Sequence, residues 1–385
     1  MIQVLRGLRL FSIFPLLLCW PIAALRAQEA VRDATRDPSL SSVALRTLGQ
    51  EAFDGGLRGR LKYVRQGSRY LRVSLNDVHL KEGMKLRITD QDGGVLLDVH
   101  GPLQLPSSHV FVPGPSFVLE TTSPTGGPIA GAISEVWYHD PNLAPWLSIF
   151  GDNDMAEAGD YSAGTPIGAV KRSIAFLSFQ RAGDFRVCSG FLIADDLLVT
   201  NDHCVNDTAS CESASVVFDY EKDRNGQITM GEVRRCASLV AGDYDLDYTV
   251  LRLDARPYGS FNVLRLAAQD AAVGEPAAMI QHPGGAQKQV VEVGCEINKL
   301  EVPGRARDRN DTEFTHRCDT IGGSSGSPIV RTTMENTGGV ADCVIGLHHW
   351  GFVAGGDYET FNRAVRASVI VKSLKEKGLS PATCG

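Results

Sequence analysis

Gly322-Gly323-Ser324-Ser325-Gly326-Ser327-Pro328 is the stretch on which the reading of this chain turns. A serine framed by glycines can sit in a tight turn with its hydroxyl exposed and its own N–H aimed at an incoming carbonyl. Acyl transfer needs that geometry. Alone, the pattern also describes an ordinary glycine-serine loop. Two other segments change its weight: Thr200-Asn201-Asp202-His203-Cys204 upstream, and Asp245-Leu246-Asp247-Tyr248-Thr249-Val250-Leu251 between them.

His203 follows the apolar run Leu197-Leu198-Val199-Thr200 in a cysteine-bracketed segment. An imidazole suits a general base because its pKa lies near working pH. Asp247 is expected to accept the other imidazole N–H, fix the tautomer and stabilise the cation that forms. Asp243 and Asp245 are rivals as turn acids. Asp247 is preferred because the strand-like run Tyr248-Thr249-Val250-Leu251 follows it directly and can hold a carboxylate in place. Ser325 is the expected nucleophile, with the N–H groups of Gly323 and Ser325 as the oxyanion hole. Histidine, aspartate and serine in that chain order match one of the known triad orders and exclude two others.

The bulk properties fit a soluble globular protein: 385 residues, 43% hydrophobic and 22% charged, with a formal charge of −7 that gives nucleic-acid binding no support. Arg6 and Arg9 precede an apolar run from Leu10 to Leu25, broken by Pro15 and Pro21, with Ala27 after it. Residues 1–27 are therefore expected to be a secretory signal peptide, and no later segment reads as a membrane span. Cys19 lacks the small residue before it that a lipoprotein signal wants. Its removal leaves eight of nine cysteines, an even number that suggests disulfides in an exported chain. Cys188 and Cys204 bracket the histidine and are expected to pair. Cys211, Cys236, Cys295, Cys318, Cys343 and Cys384 leave the remaining connectivity open. No paired C-x₂-C spacing favours zinc. The run from Glu221 to Glu232 roughly fits a calcium loop, but Glu stands at its first position and strands surround it, so a hairpin tip is preferred. No cofactor and no metal are expected.

Residues 28–138 are expected to form an antiparallel β-sandwich or a pro-segment. Tyr70-Leu71-Arg72-Val73-Ser74-Leu75, Met84-Lys85-Leu86-Arg87-Ile88-Thr89 and Ser116-Phe117-Val118-Leu119-Glu120-Thr121 alternate between glycine and proline turns. Residues 139–168 read as a linker. Residues 169–385 carry short strands and one late helix from about Arg366 to Lys377, which suggests paired β-barrels.

The region from about Ala169 onward resembles the trypsin/chymotrypsin-like serine peptidases. The resemblance implies an all-β, chymotrypsin-like double β-barrel with a C-terminal helix, here preceded by the small sandwich. Thr200-Asn201-Asp202-His203-Cys204, Gly326-Ser327-Pro328, Ile345-Gly346-Leu347-His348 and Gln281-His282-Pro283-Gly284-Gly285 resemble more narrowly the bacterial glutamyl and lysyl endopeptidases. His282 is read as structural. In animal trypsin-like enzymes an aspartate precedes the nucleophile and receives the freed N-terminus; here that position is Ser324, and no Ile-Val-Gly-Gly start is present. Proteolytic activation is thus expected to relieve blockage by residues upstream of the peptidase region.

The implied substrate is a polypeptide. Asp319, Thr320, His348, Trp350 and Gly351 are expected to line the specificity pocket. Asp319 matches the position that recognises Lys or Arg, with Asp357 farther along the wall; Thr320 and His348 resemble a glutamate-recognising pair. An acid at the pocket floor repels a carboxylate, so the lean is to Lys or Arg, with glutamate as the alternative. A silent binding protein on a peptidase scaffold and an esterase with the same triad are the rival functions. The sequence leaves the oligomeric state open.

Overall fold

Tyr70-Leu71-Arg72-Val73-Ser74-Leu75 does alternate, and the computed structural model shows that both faces of the strand are buried. The structure describes residues 48–139, 147–182, 184–259, 261–302, 304, 311–332, 342–351 and 361–385. The expected signal peptide, 1–27, and Asp357 lie outside the described residues.

Two four-stranded antiparallel sheets form the front of the chain. One runs in the order Leu48–Leu57, Ile129–His139, Tyr70–Leu80, Leu103–Pro113; the other in the order Arg60–Val64, Ser116–Thr122, Lys85–Asp90, Val95–His100. Successive residues of a strand face opposite ways. In the Lys85–Asp90 strand this puts Leu86 and Ile88 inside and leaves Lys85 and Arg87 exposed. Leu71, Val73, Leu75, Leu86, Ile88, Val112, Phe117, Leu119 and Val136 share the sandwich core. Tyr70, from the other face of its strand, belongs with Phe111 and Trp137 to a second cluster completed by Phe176, Phe185, Val217 and Tyr220 from further along the chain. Arg72 lies on that face too and donates to the Ser213 carbonyl at 2.8 Å. The sandwich and the barrels behind it therefore belong to one compact unit.

Behind the sandwich, Ile174–Arg181, Asp184–Leu192, Leu197–Thr200, Tyr248–Leu253, Val233–Asp243 and Ser215–Phe218 close a six-stranded barrel. A ten-stranded sheet comes next, with Ala277–Gln281, Pro328–Arg331, Cys343–Trp350, Asn362–Arg366, Glu313–His316 and Ile297–Val302 adjacent in that order. A single bridge, Pro276 to Glu296, brings the far end of this series back to its start. The all-β architecture expected from the sequence is present. The last helix, Ala367–Glu376, buries Ile370, Val371 and Leu374 one turn apart against this second layer.

Cys188–Cys204 is bonded as anticipated, and the remaining pairs are Cys211–Cys236, Cys295–Cys318 and Cys343–Cys384. The 139–168 stretch, read as a linker from its prolines and glycines, is partly built into the layers behind the sandwich. Leu147–Ser148 pairs with Thr320–Ile321, and Ala156–Glu157 pairs with Gln289–Val291.

Candidate active site

His203 lies in the turn after the Leu197–Thr200 strand, clamped by the Cys188–Cys204 disulfide and by Arg181, whose guanidinium donates to the His203 carbonyl. Its ring Nδ1 is 2.7 Å from Asp247 Oδ2, and its backbone N–H donates to Oδ1 at 2.9 Å. Asn201 Nδ2 donates to the Asp247 carbonyl at 2.8 Å, so one turn holds the aspartate by both main chain and side chain. Of the rival acids, Asp243 accepts the Asp245 and Leu246 N–H groups and so serves the turn that presents Asp247.

A residue not singled out from sequence joins this pair. His349 Nδ1 is 3.1 Å from the same Asp247 Oδ2, and its Nε2 is 3.2 Å from Glu313 Oε2, close enough for an ion pair though not aligned as a hydrogen bond. Arg363 lies 3.3 Å beyond, on the same Glu313 oxygen. A neutral imidazole offers one N–H; only imidazolium presents a proton to both carboxylates. Burial opposes that charge, but Glu313 and Asp247 outweigh it and push the His349 pKa up to about 9. Burial alone would likewise raise Asp247, yet the contacts with His203 and His349 hold it well below the usual carboxylate range. The signal for His349 was period two: if His348 faces one side of its strand, its neighbour faces the other.

Ser325 is partly exposed while Gly323, Ser324 and Gly326 around it are buried. Ser324 braces the turn: its N–H donates to the Ile321 carbonyl, and its hydroxyl accepts from the Ile321 N–H at 3.1 Å. The Ser325 carbonyl accepts from Ser189 N–H at 2.7 Å, which joins the serine loop to the first barrel beside the Cys188–Cys204 bridge. The Ser325 hydroxyl donates to the His349 carbonyl at 3.4 Å, not to His203. Among the described residues, no backbone carbonyl takes up the N–H of Gly323 or of Ser325.

The expected pocket residues each have protein partners of their own. Asp319 accepts the N–H of Phe150 on Oδ1 at 2.8 Å and that of Asp154 on Oδ2 at 2.9 Å. Both oxygens thus hold the stretch between the sandwich and the barrel. Burial raises the Asp319 pKa, against the pull of those two N–H groups. Thr320 is strand-paired with Ser148, whose carbonyl accepts from Asn362 Nδ2 and whose Oγ lies against Gly351. His348 is buried with Nδ1 3.1 Å from His316 Nε2, and burial keeps its pKa well below the ordinary value. Trp350 stacks on His349 with ring centroids 4.5 Å apart.

His282 is fully buried, bonds to the Ala286 carbonyl through Nδ1 and stacks on Tyr220, a structural role as read. The stretch from Glu221 is a hairpin in which Asp223 Oδ1 accepts the N–H groups of Asn225 and Gln227, while Glu221 is ion-paired to Lys171 and Lys288. Cys188, His203 and Cys204 come close enough to suggest a metal site, but the two sulfurs are bonded to each other and offer no thiolate.

Residues 188–338 match the family model of the trypsin-like peptidase domain. The chain is 25% identical over 246 residues to a secreted RxLR effector protein of Plasmopara viticola, covering 61% of this chain and 57% of that one. It is 31% identical over 176 residues to an uncharacterized protein of Sinorhizobium fredii, covering 42% of this chain and 25% of the relative. It thus spans little more than half of the first relative and a quarter of the second. Similar solved structures include a Glu endopeptidase (19% identity, 59% of this chain and 98% of that one, TM-score 0.43) and an active-form protease of M. tuberculosis (20%, 63% and 96%, TM-score 0.42).

Proposed function

We propose that this chain, a trypsin-like serine peptidase by its 188–338 region, is a secreted endopeptidase that uses His203, Asp247 and Ser325 as its catalytic triad. The observation that carries the assignment is the two-point grip of Asp247 on His203, together with a serine that stands partly open between buried glycines and bonds to the carbonyl of His349, itself on Asp247. Ser325 Oγ attacks the scissile carbonyl and gives its proton to His203 Nε2. The oxyanion meets the N–H groups of Gly323 and Ser325. The C–N bond then breaks as His203 protonates the leaving amine, and water repeats the sequence on the acyl-enzyme. The Ser325 hydroxyl must first turn from the His349 carbonyl to His203. Such bonds are commonly loose before substrate is bound and tighten with it.

The imidazolium of His349 shares Asp247 with His203. It lends the aspartate a second charged partner but competes for its negative charge; Glu313 on its far side offsets that competition. Four disulfides fit an oxidising, extracellular or periplasmic setting. Among the described residues no helix is long and apolar enough to cross a membrane.

The residues from Ser148 to Asp154 hold Asp319 and lie along Thr320 and Gly351. Activation on this reading is the departure of that stretch from the pocket. Preference for Lys or Arg before the cleaved bond depends on that departure, since only then does Asp319 meet a substrate cation; otherwise Thr320 and His348 set the preference. Replacing Ser325 by Ala tests the whole assignment. Turnover of peptide and ester substrates should fall by several powers of ten, on the order of 10⁶ in a comparable triad. A fluorophosphonate label should also be lost. Retained turnover would refute the role given to Ser325.

A further inference from the structure

We propose that Tyr70 of the front sandwich is a positioning residue for the oxyanion loop, acting through Gly285 on Gly323. The inference rests on the assignment of Ser325 and Gly323 above and gives the sandwich a part in that reaction.

Gly322 and Gly323 share a trans peptide, whose C=O and N–H point opposite ways. The Gly322 carbonyl accepts the Gly284 N–H at 2.7 Å. Pinning that carbonyl onto the 282–286 loop aims the Gly323 N–H away from the loop. The next peptide is held as well: Ser189 Oγ donates to the Gly323 carbonyl at 3.0 Å while accepting the His282 N–H at 2.9 Å. The loop is pressed close to the glycine. A Cβ on Gly323 would stand 3.0 Å from Gly285 N and 3.0 Å from the His282 carbonyl, and its φ of +102° is one that L side chains rarely adopt. The direction of the oxyanion donor is therefore set by where Gly284 and Gly285 sit.

Gly285 is backed by Tyr70. A Cβ on Gly285 would lie 2.6 Å from Tyr70 Oη and 2.8 Å from its ring carbons, so glycine and ring are at van der Waals limit. Tyr70 is fully buried and cannot yield. It packs on Phe111 of the sandwich (5.8 Å between centroids) and on Phe176 of the barrel (5.8 Å). Phe111 in turn meets Tyr220 edge-on, and Tyr220 stacks on His282 at the start of the same loop. Close-packed interiors transmit displacement instead of absorbing it. Truncating Tyr70 removes the wall behind Gly285 and lets the loop, and with it the Gly323 N–H, move off its aim.

The test compares three full-length variants with the wild type on one peptide substrate and one peptide boronic acid, which forms a tetrahedral adduct on the nucleophile. Tyr70→Ala should lower kcat by roughly 10- to 100-fold, short of the 10²–10³ expected for losing an oxyanion donor outright. KM should stay within about twofold, and the boronic acid should weaken by the same factor as kcat. Tyr70→Phe keeps the ring and should restore kcat to within about threefold of wild type. Phe117→Ala opens the sandwich core on the far side of Tyr70, away from the aromatic cluster that backs Gly285. It should lower thermal stability as much as Tyr70→Ala yet keep kcat within about threefold. Equal losses of kcat in Tyr70→Ala and Phe117→Ala, or no loss in Tyr70→Ala, would overturn the proposal. A Ser325→Ala protein that still turns over would instead defeat the triad beneath it.

Discussion

Replacing Asp319 by Asn separates two roles for this carboxylate with opposite signs. In the structure it accepts two backbone N–H groups, from Phe150 at 2.8 Å and Asp154 at 2.9 Å. Both bonds are charge-assisted. An Asn amide accepts on its oxygen only and turns a donor toward the second N–H, so one bond becomes neutral and the other is lost. Hydrogen bonds to a charged group are worth about 1.5–3 kcal/mol and neutral ones about 0.5–1.5. The grip on the 148–154 stretch should weaken by about 2.5–4.5 kcal/mol, which multiplies the open fraction roughly 70- to 2000-fold while the closed form dominates. The assay is hydrolysis of two matched peptide esters, one ending in Ala and one in Arg, by uncut full-length protein whose mass is checked before and after. If Asp319 is a latch, turnover of the Ala ester rises by that factor. If Asp319 is only a receptor for Lys or Arg, the Ala ester is unaffected and the Arg ester is lost. Loss of Arg-ester turnover with no gain on the Ala ester would refute the latch.

Stability should depend on pH in a way set by the buried histidines. Burial pushes His282 and His316 down to about 3 from an ordinary 6.5, so below 6.5 the unfolded chain takes up protons that these rings refuse and stability falls toward acid. His349 is held up at about 9, so its contribution is complete below 6.5 and fades as pH rises through about 9. Urea midpoints should therefore peak near pH 6.5, and His349→Gln should flatten the alkaline side; an alkaline slope unchanged by that substitution would exclude His349 as its source. Glu221→Gln should cost roughly 3–5 kcal/mol in the same titration, because Lys288, fully buried, loses the carboxylate it pairs with at 3.1 Å. A cost under about 1 kcal/mol would mean that the lysine neutralises at little expense.

The proposed catalytic cluster was legible as a candidate site because its signals are local. A strand ending at Thr200 followed by His203, a strand starting at Tyr248 preceded by Asp247, and glycines around Ser325 each fix a side chain at the end of a regular element. Cys188–Cys204 was legible for the same reason. The partners of Asp319 were not: Phe150 and Asp154 lie 169 and 165 residues upstream, in a stretch whose prolines and glycines read as a tether. Strand pairing through backbone N–H and C=O leaves no mark on side-chain types, so Leu147–Ser148 could not be seen as a strand laid along Thr320. Tyr70 and Arg72 were misleading in another way. Alternation of this kind usually separates core from solvent, but here it separates two cores. Gly285 is a turn residue, with φ of +70°; its second constraint, a ring against its missing Cβ, comes from a strand some two hundred positions away.

Both upstream pieces converge on one short loop. Gln281 Nε2 donates to the Asp319 carbonyl at 2.8 Å, and four residues later Gly285 rests on Tyr70. The latch stretch thus acts at one end of the 281–285 segment and the sandwich at the other. The two contacts differ in kind. The latch is a few hydrogen bonds, two of them charge-assisted, to groups that water can also satisfy, so its release costs only the few kcal/mol those bonds contribute net. The sandwich contact is an aromatic cluster with Tyr70, Phe111, Trp137, Phe176, Phe185 and Tyr220 buried from both sides. Its separation would expose large rings, at roughly 1.5–3 kcal/mol each. A cut upstream of Leu147 could therefore free the pocket while the sandwich stays seated. On the proposed mechanism the upstream segment is then a lasting part of the enzyme: the 148–154 stretch leaves to admit substrate, and the sandwich remains to hold the donor proposed to meet the oxyanion.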